Sequence, residues 1–541
     1  MSSSVDLKQS IVGSRCRHLH VVLGDQLSGR LKAFNDFDAE QDAVLMAEVD
    51  GEQIGPSHKV RTAVFLSAMR HFALEQIDKG RRVRYVKASD SRNSHSLAGE
   101  LEQAIEVLTP ERIVLTHPGD WRVLDDLTEA AGDTPLDIVD DDHFLVTPDE
   151  FSDWASGKKQ LVMEYFYRQQ RKKLGILMEG PADKQRPVGG EWNYDKDNRK
   201  SFKDPPRPTP PPTHEPDDVT REVIDLVHGR WSELPGNLDA DTFRWPVTRR
   251  SALASLNAFI ADRLSRFGPY EDAMWTGEPF LYHSVLSVPM NLHLIDPMEC
   301  VERALEAYDN GDAPLNSVEG FVRQLIGWRE YIRGIYWHEG RDYRDRNSLD
   351  QHGSLPDFYW TGDTDMRCMA ECLSPVLDHA WSHHIPRLMV LSSFAMMAGV
   401  HPREIGDWFF GMYADSVDWA TTPNTIGMGM HCDGDSASSS KNRHGVVGTK
   451  PYAGSGKYIG KMSNFCENCR YDNSKRTGED ACPFNTLYWD FLIRHEQRFK
   501  KNNRMAMMLK HVERMDKEQR VEITSGGKAI RKRLGIAPIS S

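Results

Sequence analysis

Residues 18–28 read His18-Leu19-His20-Val21-Val22-Leu23-Gly24-Asp25-Gln26-Leu27-Ser28, a short apolar run halted by a Gly-Asp-Gln turn. An apolar run of this length bounded by a turn signal is a buried strand. Outward from it, residues 44–49, 83–86, 112–115 and 136–139 supply further strand-length runs, and residues 59–78 carry apolar side chains at helical spacing. Strands alternating with helices predict an α/β domain with a doubly wound parallel sheet, whose ligand crevice opens at the carboxyl ends of the strands. That domain is expected over residues 17–150.

From residue 151 the pattern changes. A helix through 161–174 leads into a Gly- and Pro-rich stretch, and residues 205–216 hold seven prolines in twelve positions, a stiff extended connector. Residues 151–216 are therefore expected to link two domains. From 217 to 510 the periodicity is helical, notably at 316–338, 365–380, 385–398, 401–412 and 486–494, which predicts an all-α second domain. Residues 511–541 read as a charged helix and tail with a solvated face, and residues 431–444 (HCDGDSASSSKNRH) as a surface loop.

The chain has 541 residues, too many for one ordinary core. Its net charge of −13 argues against wholesale coating of nucleic acid, although local basic patches could still bind DNA. No apolar run is long enough to span a bilayer, and the first twenty residues lack the apolar core of a secretory signal, so a cytoplasmic protein is expected. Eight cysteines in such a chain point away from a disulfide framework.

Cys466 and Cys469 form a C-x-x-C, and Cys482 follows after a polar stretch. Such a turn converges two thiolates on one metal centre, and a later cysteine closes it. Cys368, Cys372 and Cys432 are candidates for a fourth ligand, and spacing leaves structural zinc and an iron–sulfur cluster both open. Trp328, Trp337, Trp360, Trp381, Trp408, Trp419 and Trp489 lie in or beside amphipathic helices. Singly each is a core residue, while together they could relay electrons. His383-His384 should direct its two rings to different sides of a helix start, so that one faces a cleft and can give up a proton. Carboxylates at Asp407, Asp415 and Asp418 make an ordinary salt bridge to Arg387 the simplest pairing.

Several motifs occur together in order. They are residues 24–28 (GDQLS), 163–168 (MEYFYR), 326–331 (IGWREY), 448–452 (GTKPY), 464–470 (NFCENCR) and 481–489 (ACPFNTLYW). In these the chain resembles the iron–sulfur bacterial cryptochromes and photolyases, from about residue 19 to beyond 489. The resemblance implies an antenna domain followed by a helical domain holding FAD in a bent shape. It also implies a 4Fe-4S cluster and a 6,7-dimethyl-8-ribityllumazine antenna. Carried over by motif, Cys368, Cys466, Cys469 and Cys482 are the cluster ligands, and Gly24, Asp25, Gln26 and Glu52 match the antenna site. His283, Ser284, Leu286 and Ser287 resemble the FAD phosphate-binding stretch, and Glu319, Arg323, Arg387, Asp415 and Asn424 stand where the family surrounds the flavin. Trp408 and Trp360 match positions that feed electrons to the flavin, although Phe409 stands where some relatives have a redox-active tyrosine. His384, with His383, corresponds to the active-site pair of members that repair (6-4) photoproducts. The expected function is light-dependent repair of (6-4) lesions in UV-damaged DNA by a monomer. A blue-light photoreceptor and a zinc-stabilised helical binding protein are the alternatives.

Overall fold

The computed structural model describes residues 15–50, 56–434 and 445–536. Five strands, β1 (His18–Val21), β2 (Ala43–Ala47), β3 (Val83–Val86), β4 (Arg112–Thr116) and β5 (Leu136–Val139), form one parallel sheet in the order β3-β2-β1-β4-β5. β1 and β2 are covered on both faces, as expected of parallel strands flanked by helices. The connections reverse direction between β1 and β4, so the crevice lies at the carboxyl ends of those two strands.

The helix Lys59–Asp78 joins β2 to β3 and buries Ala63, Val64, Ala68, Phe72 and Ala73. It is capped by His58, whose Nδ1 accepts from Val60 N while Nε2 donates to Leu377 O, 2.9 Å away in the helical region. Side-chain caps also start Leu97–Leu108 (Ser96) and Trp121–Ala130 (Asp120).

Beyond the sheet the chain is helical apart from the two-residue strands Met178–Glu179 and Arg186–Pro187. Residues 205–217 adopt no regular structure, as their prolines dictate. The predicted helix 316–338 is present as three stacked pieces: Leu315–Val322, a π-helical turn Arg323–Arg329, and Glu330–Glu339. Two further π segments, Pro386–Ser392 and Pro423–Gly429, interrupt the helices on which they lie. Each of those two opens on a proline: Pro386 stands in the first turn of its helix, where no amide partner is needed, and Pro423 follows Asp418–Thr422, where it removes the amide that would continue the α-helical bonds.

The two regions share buried contacts. Glu330 accepts from the amides of Leu145 and Val146, and Gly334 leaves room for the Phe151 ring, which would collide with any Cβ there. Among the described residues no helix is long and apolar enough to cross a membrane. Two expectations need correction. The last helix, Lys517–Arg533, is not merely solvated: it docks on Pro483–Arg494, with Arg531 Nη1 donating to the buried Asp490 at 2.6 Å. Residues 431–434, read as the start of a surface loop, are buried, and Asp433 accepts from Tyr343 Oη and Val447 N; residues 435–444 lie outside the described residues.

Candidate functional site

The crevice at the end of β1 is built as the topology requires. Gly24 packs on the Lys59–Asp78 helix, where a Cβ would fall 3.1 Å from Met69 Sδ. Gln26 crosses to β4 and donates to His117 O (3.0 Å) and Thr116 O (3.3 Å), leaving its own Oε1 without a partner. Burial pushes the Asp25 carboxyl up to about 7, and the charges of Asp141 and Asp120 add to the effect. The far wall comes from the helical region. A Cβ on Gly119 would lie 2.8 Å from Trp419 Cδ1 and 3.2 Å from Asp25 Oδ2, so glycine is what lets the indole and the carboxyl approach. An aromatic wall with polar groups on one edge suits a flat heterocycle. Glu52 lies outside the described residues.

A second site forms within the helices. Leu281 and Val285 take positive φ values of 42° and 58°, bending the chain so that His283 turns inward. His283 is buried with Nε2 unpartnered, and the helix that follows Ser284 and Leu286, Ser287–Asn291, is only five residues long. Arg263 donates through Nε to His283 O (3.3 Å) and leaves both Nη atoms buried without partners. Glu319 accepts from Tyr167 Oη (2.8 Å) and Tyr194 N (3.2 Å), while Arg323 pairs with Asp195 and lies 3.8 Å from Glu164. Glu271, next to this group, is pushed up to about 8 by burial and then by the charge of Asp272, and its Oε2 has no partner. Unpartnered donors and an uncharged acid facing inward are what a polar, phosphate-bearing ligand would satisfy.

Arg387 forms a two-pronged pair with Asp415 (3.0 and 2.9 Å), donates to Ser382 O, and lies 4.0 Å over the Tyr413 ring. The sequence-expected salt bridge is present. Asn424 is exposed and donates to Ala420 O within its own helix. Arg323, Arg387 and Asn424 each occupy one of the three π segments, the turn type that recurs at functional positions.

The two adjacent histidines do not diverge as expected; both rings gather on His283. His383 stacks on it at 4.1 Å and 18°, and His384 meets it edge-on at 5.7 Å. Burial holds His283 and His383 well below the usual imidazole range, so both are neutral. His384 is the solvent-facing member, half exposed, with Nε2 3.4 Å from the Asp272 carboxylate. The ligating atoms of the three rings lie within 4.8 Å of one another, but nearly parallel rings aim their lone pairs side by side, a poor arrangement for one metal ion.

Trp408 is fully buried, and its Nε1 donates to Tyr359 O at 3.1 Å. Around it stand Phe409, Tyr359 and Tyr413 at 5.0, 5.2 and 5.9 Å, and Trp360 follows Tyr359 toward the surface. Tyr413 thus joins Trp408 to Arg387. Tyr359, Tyr413 and Asp272 were not singled out as site residues by sequence reasoning, which had no motif to mark them, and Trp419, read there only as one of a group of tryptophans, stands instead at the β1 crevice.

Cys368 opens the helix Arg367–His379, Cys466 and Cys469 lie in the loop after Gly456–Met462, and Cys482 caps Pro483–Arg494. Burial, and then the neighbouring Cys482, Cys372, Cys466 and Cys469, push the Cys368 thiol far up. Gly456 and Gly460 line the same space, where a Cβ would lie 3.0 Å from Cys482 Sγ and 3.3 Å from Cys466 Sγ. Among the described residues no three of these sulfurs lie within 4.8 Å of one another.

A family profile described as "Deoxyribodipyrimidine photo-lyase-related protein" matches residues 20–245. Two solved structures share the fold: a bacterial class III photolyase from Agrobacterium tumefaciens (TM-score 0.52, 15% identity, 94% of this chain and 100% of that one) and a Synechocystis cryptochrome (TM-score 0.53, 13% identity, 78% and 83%). A protein named (6-4) photolyase from Agrobacterium fabrum is 44% identical over 520 residues, which span 95% of this chain and 99% of its own length. Identity at that level across nearly the whole chain, on a matching two-part architecture, makes this protein a member of the cryptochrome/photolyase family.

Proposed function

We propose that the protein is a (6-4) DNA photolyase: it binds UV-damaged DNA and, in light, restores the pyrimidines of a (6-4) photoproduct. The observation that carries this reading is His384, a solvent-facing imidazole beside Asp272, backed by two buried neutral rings and close to the Arg387–Asp415 pair. Reversal of this lesion needs a proton as well as an electron, whereas a cyclobutane dimer needs no acid, and only His384 of the three rings is open to a substrate.

FAD, when bound, would supply the photoexcited electron. Arg263, His283, Ser284, Leu286, Ser287, Glu319, Arg323, Arg387, Asp415 and Asn424 are the residues assigned to hold it, supported by the unpartnered Arg263 and His283 nitrogens. Arg387, held by Asp415 and Tyr413, orients the inner end of that site. Trp408 and Trp360 carry electrons inward, and Tyr359, next to Trp360 in the chain and 5.2 Å from Trp408, offers an oxidisable ring beside the unreactive Phe409. His384 passes its proton to the lesion, while neutral His383 and His283 pack behind it.

Cys368, Cys466, Cys469 and Cys482 would hold a 4Fe-4S cluster, tying distant parts of the chain together. Gly24, Asp25 and Gln26, walled by Trp419, would hold 6,7-dimethyl-8-ribityllumazine as antenna, with Glu52. The protein is taken as a cytoplasmic monomer.

The test is to incubate the reduced protein with an oligonucleotide carrying one (6-4) lesion, in blue light and in darkness, and quantify restored thymines. Light-dependent restoration establishes the activity; none, with normal flavin photoreduction, makes the protein a photoreceptor.

A further inference from the structure

Between the crevice at β1 and the Arg387–Asp415 pair lies one cation that the family motifs leave unused. Arg61 sits in the first turn of the helix Lys59–Asp78, and its guanidinium is held between two rings, Phe65 from its own helix (4.7 Å) and Phe410 from the helical region (4.9 Å). Nη2 donates to Ser416 O (3.3 Å), one residue from Asp415, and Nη1 to Ser57 Oγ (3.2 Å). Nε is buried with no partner, and among the described residues no carboxylate lies within ion-pair distance of this arginine. A guanidinium withdrawn from water without an anion is costly unless something else satisfies it.

Burial pulls the proton affinity of Arg61 down to about 10, and the two charges opposing that are Asp25, in the antenna crevice, and Asp415, at the flavin site. Asp25 is itself only about half ionised at neutral pH, so it neutralises the cation only in part. What the arginine lacks is a partner for Nε, and the Phe65 ring beneath its guanidinium also packs against Gly24 of the crevice. A lumazine, with ring carbonyls and a polyhydroxyl chain, presents acceptor oxygens.

We propose that Arg61 is a cation shared by the two pigment sites: it donates to the oxygens of the antenna pigment on one side and anchors the loop bearing Asp415 on the other, so that antenna occupancy is felt at the flavin. The proposal rests on the antenna and flavin assignments made above. By linkage, whatever the pigment does to the Asp415 loop, the loop does in equal measure to pigment binding.

The experiment uses the full chain with pigments acquired during expression, as wild type, Arg61→Ala and Arg61→Lys. Bound pigments are released and the ratio of lumazine to FAD is measured by chromatography. Arg61→Ala should lower that ratio at least about tenfold, the loss expected for a buried charged hydrogen bond. Arg61→Lys keeps the charge but loses the planar fork, and should fall between. Equal ratios in all three overturn the role of Arg61. Flavin photoreduction is then compared between lumazine-loaded and lumazine-stripped protein, in light that the flavin alone absorbs. The rates should differ about twofold or more in wild type and coincide in Arg61→Ala; identical rates in loaded and stripped wild type overturn the coupling. A wild type holding FAD but taking up no added lumazine overturns the antenna assignment itself, and this proposal with it.

Discussion

Arg387→Met should break the best-defined ion pair of the flavin site. Both Nη atoms donate to separate oxygens of Asp415, whose side chain is 5% exposed against 27% for Arg387. Removing the arginine leaves a buried carboxylate with no cation, a loss of about 3–5 kcal/mol for a fully buried pair. Because the guanidinium is about a quarter exposed, the lower figure applies, about 3 kcal/mol or roughly two orders of magnitude in the folded-to-unfolded ratio. Asp415→Asn should cost less, since the amide still accepts and Arg387 can turn to water. In Arg387→Met/Asp415→Asn no charge is left stranded, so the double variant should be more stable than the sum of the single losses by about 1.5 kcal/mol or more. Urea unfolding followed by near-UV circular dichroism gives the three differences, and flavin retention shows whether the loss is local. If the effects add within about 0.5 kcal/mol, the two residues are not one electrostatic unit and the reasoning fails.

His384→Ala should lower (6-4) repair by about two to four orders of magnitude while flavin photoreduction continues; loss of both would make the residue structural. Trp408→Phe should slow photoreduction several-fold in a transient-absorption or steady-illumination assay, and an unchanged rate would remove Trp408 from the path. Cys466→Ser should yield protein low in iron and poorly soluble, whereas soluble protein with full iron content would contradict the ligand set. His58 is held neutral by burial, with its affinity lowered to about 4. Folded and unfolded forms are alike at neutral pH, but between about 6.5 and about 4 only the unfolded imidazole gains a proton, so stability is lost as pH falls, by up to about 3 kcal/mol. His58→Gln should therefore be less stable than wild type at pH 7 yet lose less between pH 7 and pH 5, and parallel pH dependences would refute the assignment.

Much of the α/β region was legible because its strands are short apolar runs separated by capped helices. β3 and β5 have the predicted bounds. β2 stops at Ala47 rather than residue 49, and just past its end the buried Glu48 side chain pairs with Arg70 and Tyr85. The long helices were visible in outline, but apolar periodicity averages over one extra residue, so the π turns were not. The C-x-x-C was readable from spacing, whereas the choice of Cys368 over Cys372 and Cys432 came only through resemblance, since a ligand nearly a hundred residues away leaves no local pattern. The stacking of His383 on His283 depends on a backbone bend at Leu281 and Val285, two residues whose side chains favour the opposite sign of φ. Trp419 and Asp25 meet only because a glycine at 119 permits it, a fact of three dimensions.

The π turns also set a rule of phase. An α-helix advances its side chains by about 100° per residue, and a π turn absorbs one residue more before the helix resumes. In the run from Leu315 to Glu339 the surplus residue keeps the buried faces on either side, around Val318 and Tyr331, pointing into the same core while carrying Arg323 toward the site. Deleting one residue there would restore regular winding with the buried faces still in phase, whereas keeping the residue and winding it as α-helix would swing everything downstream by about 100°, turning one face or the other out of the interior. Substitutions alter what these seven-residue windows present; the way the windows wind decides where the rest of the helix looks.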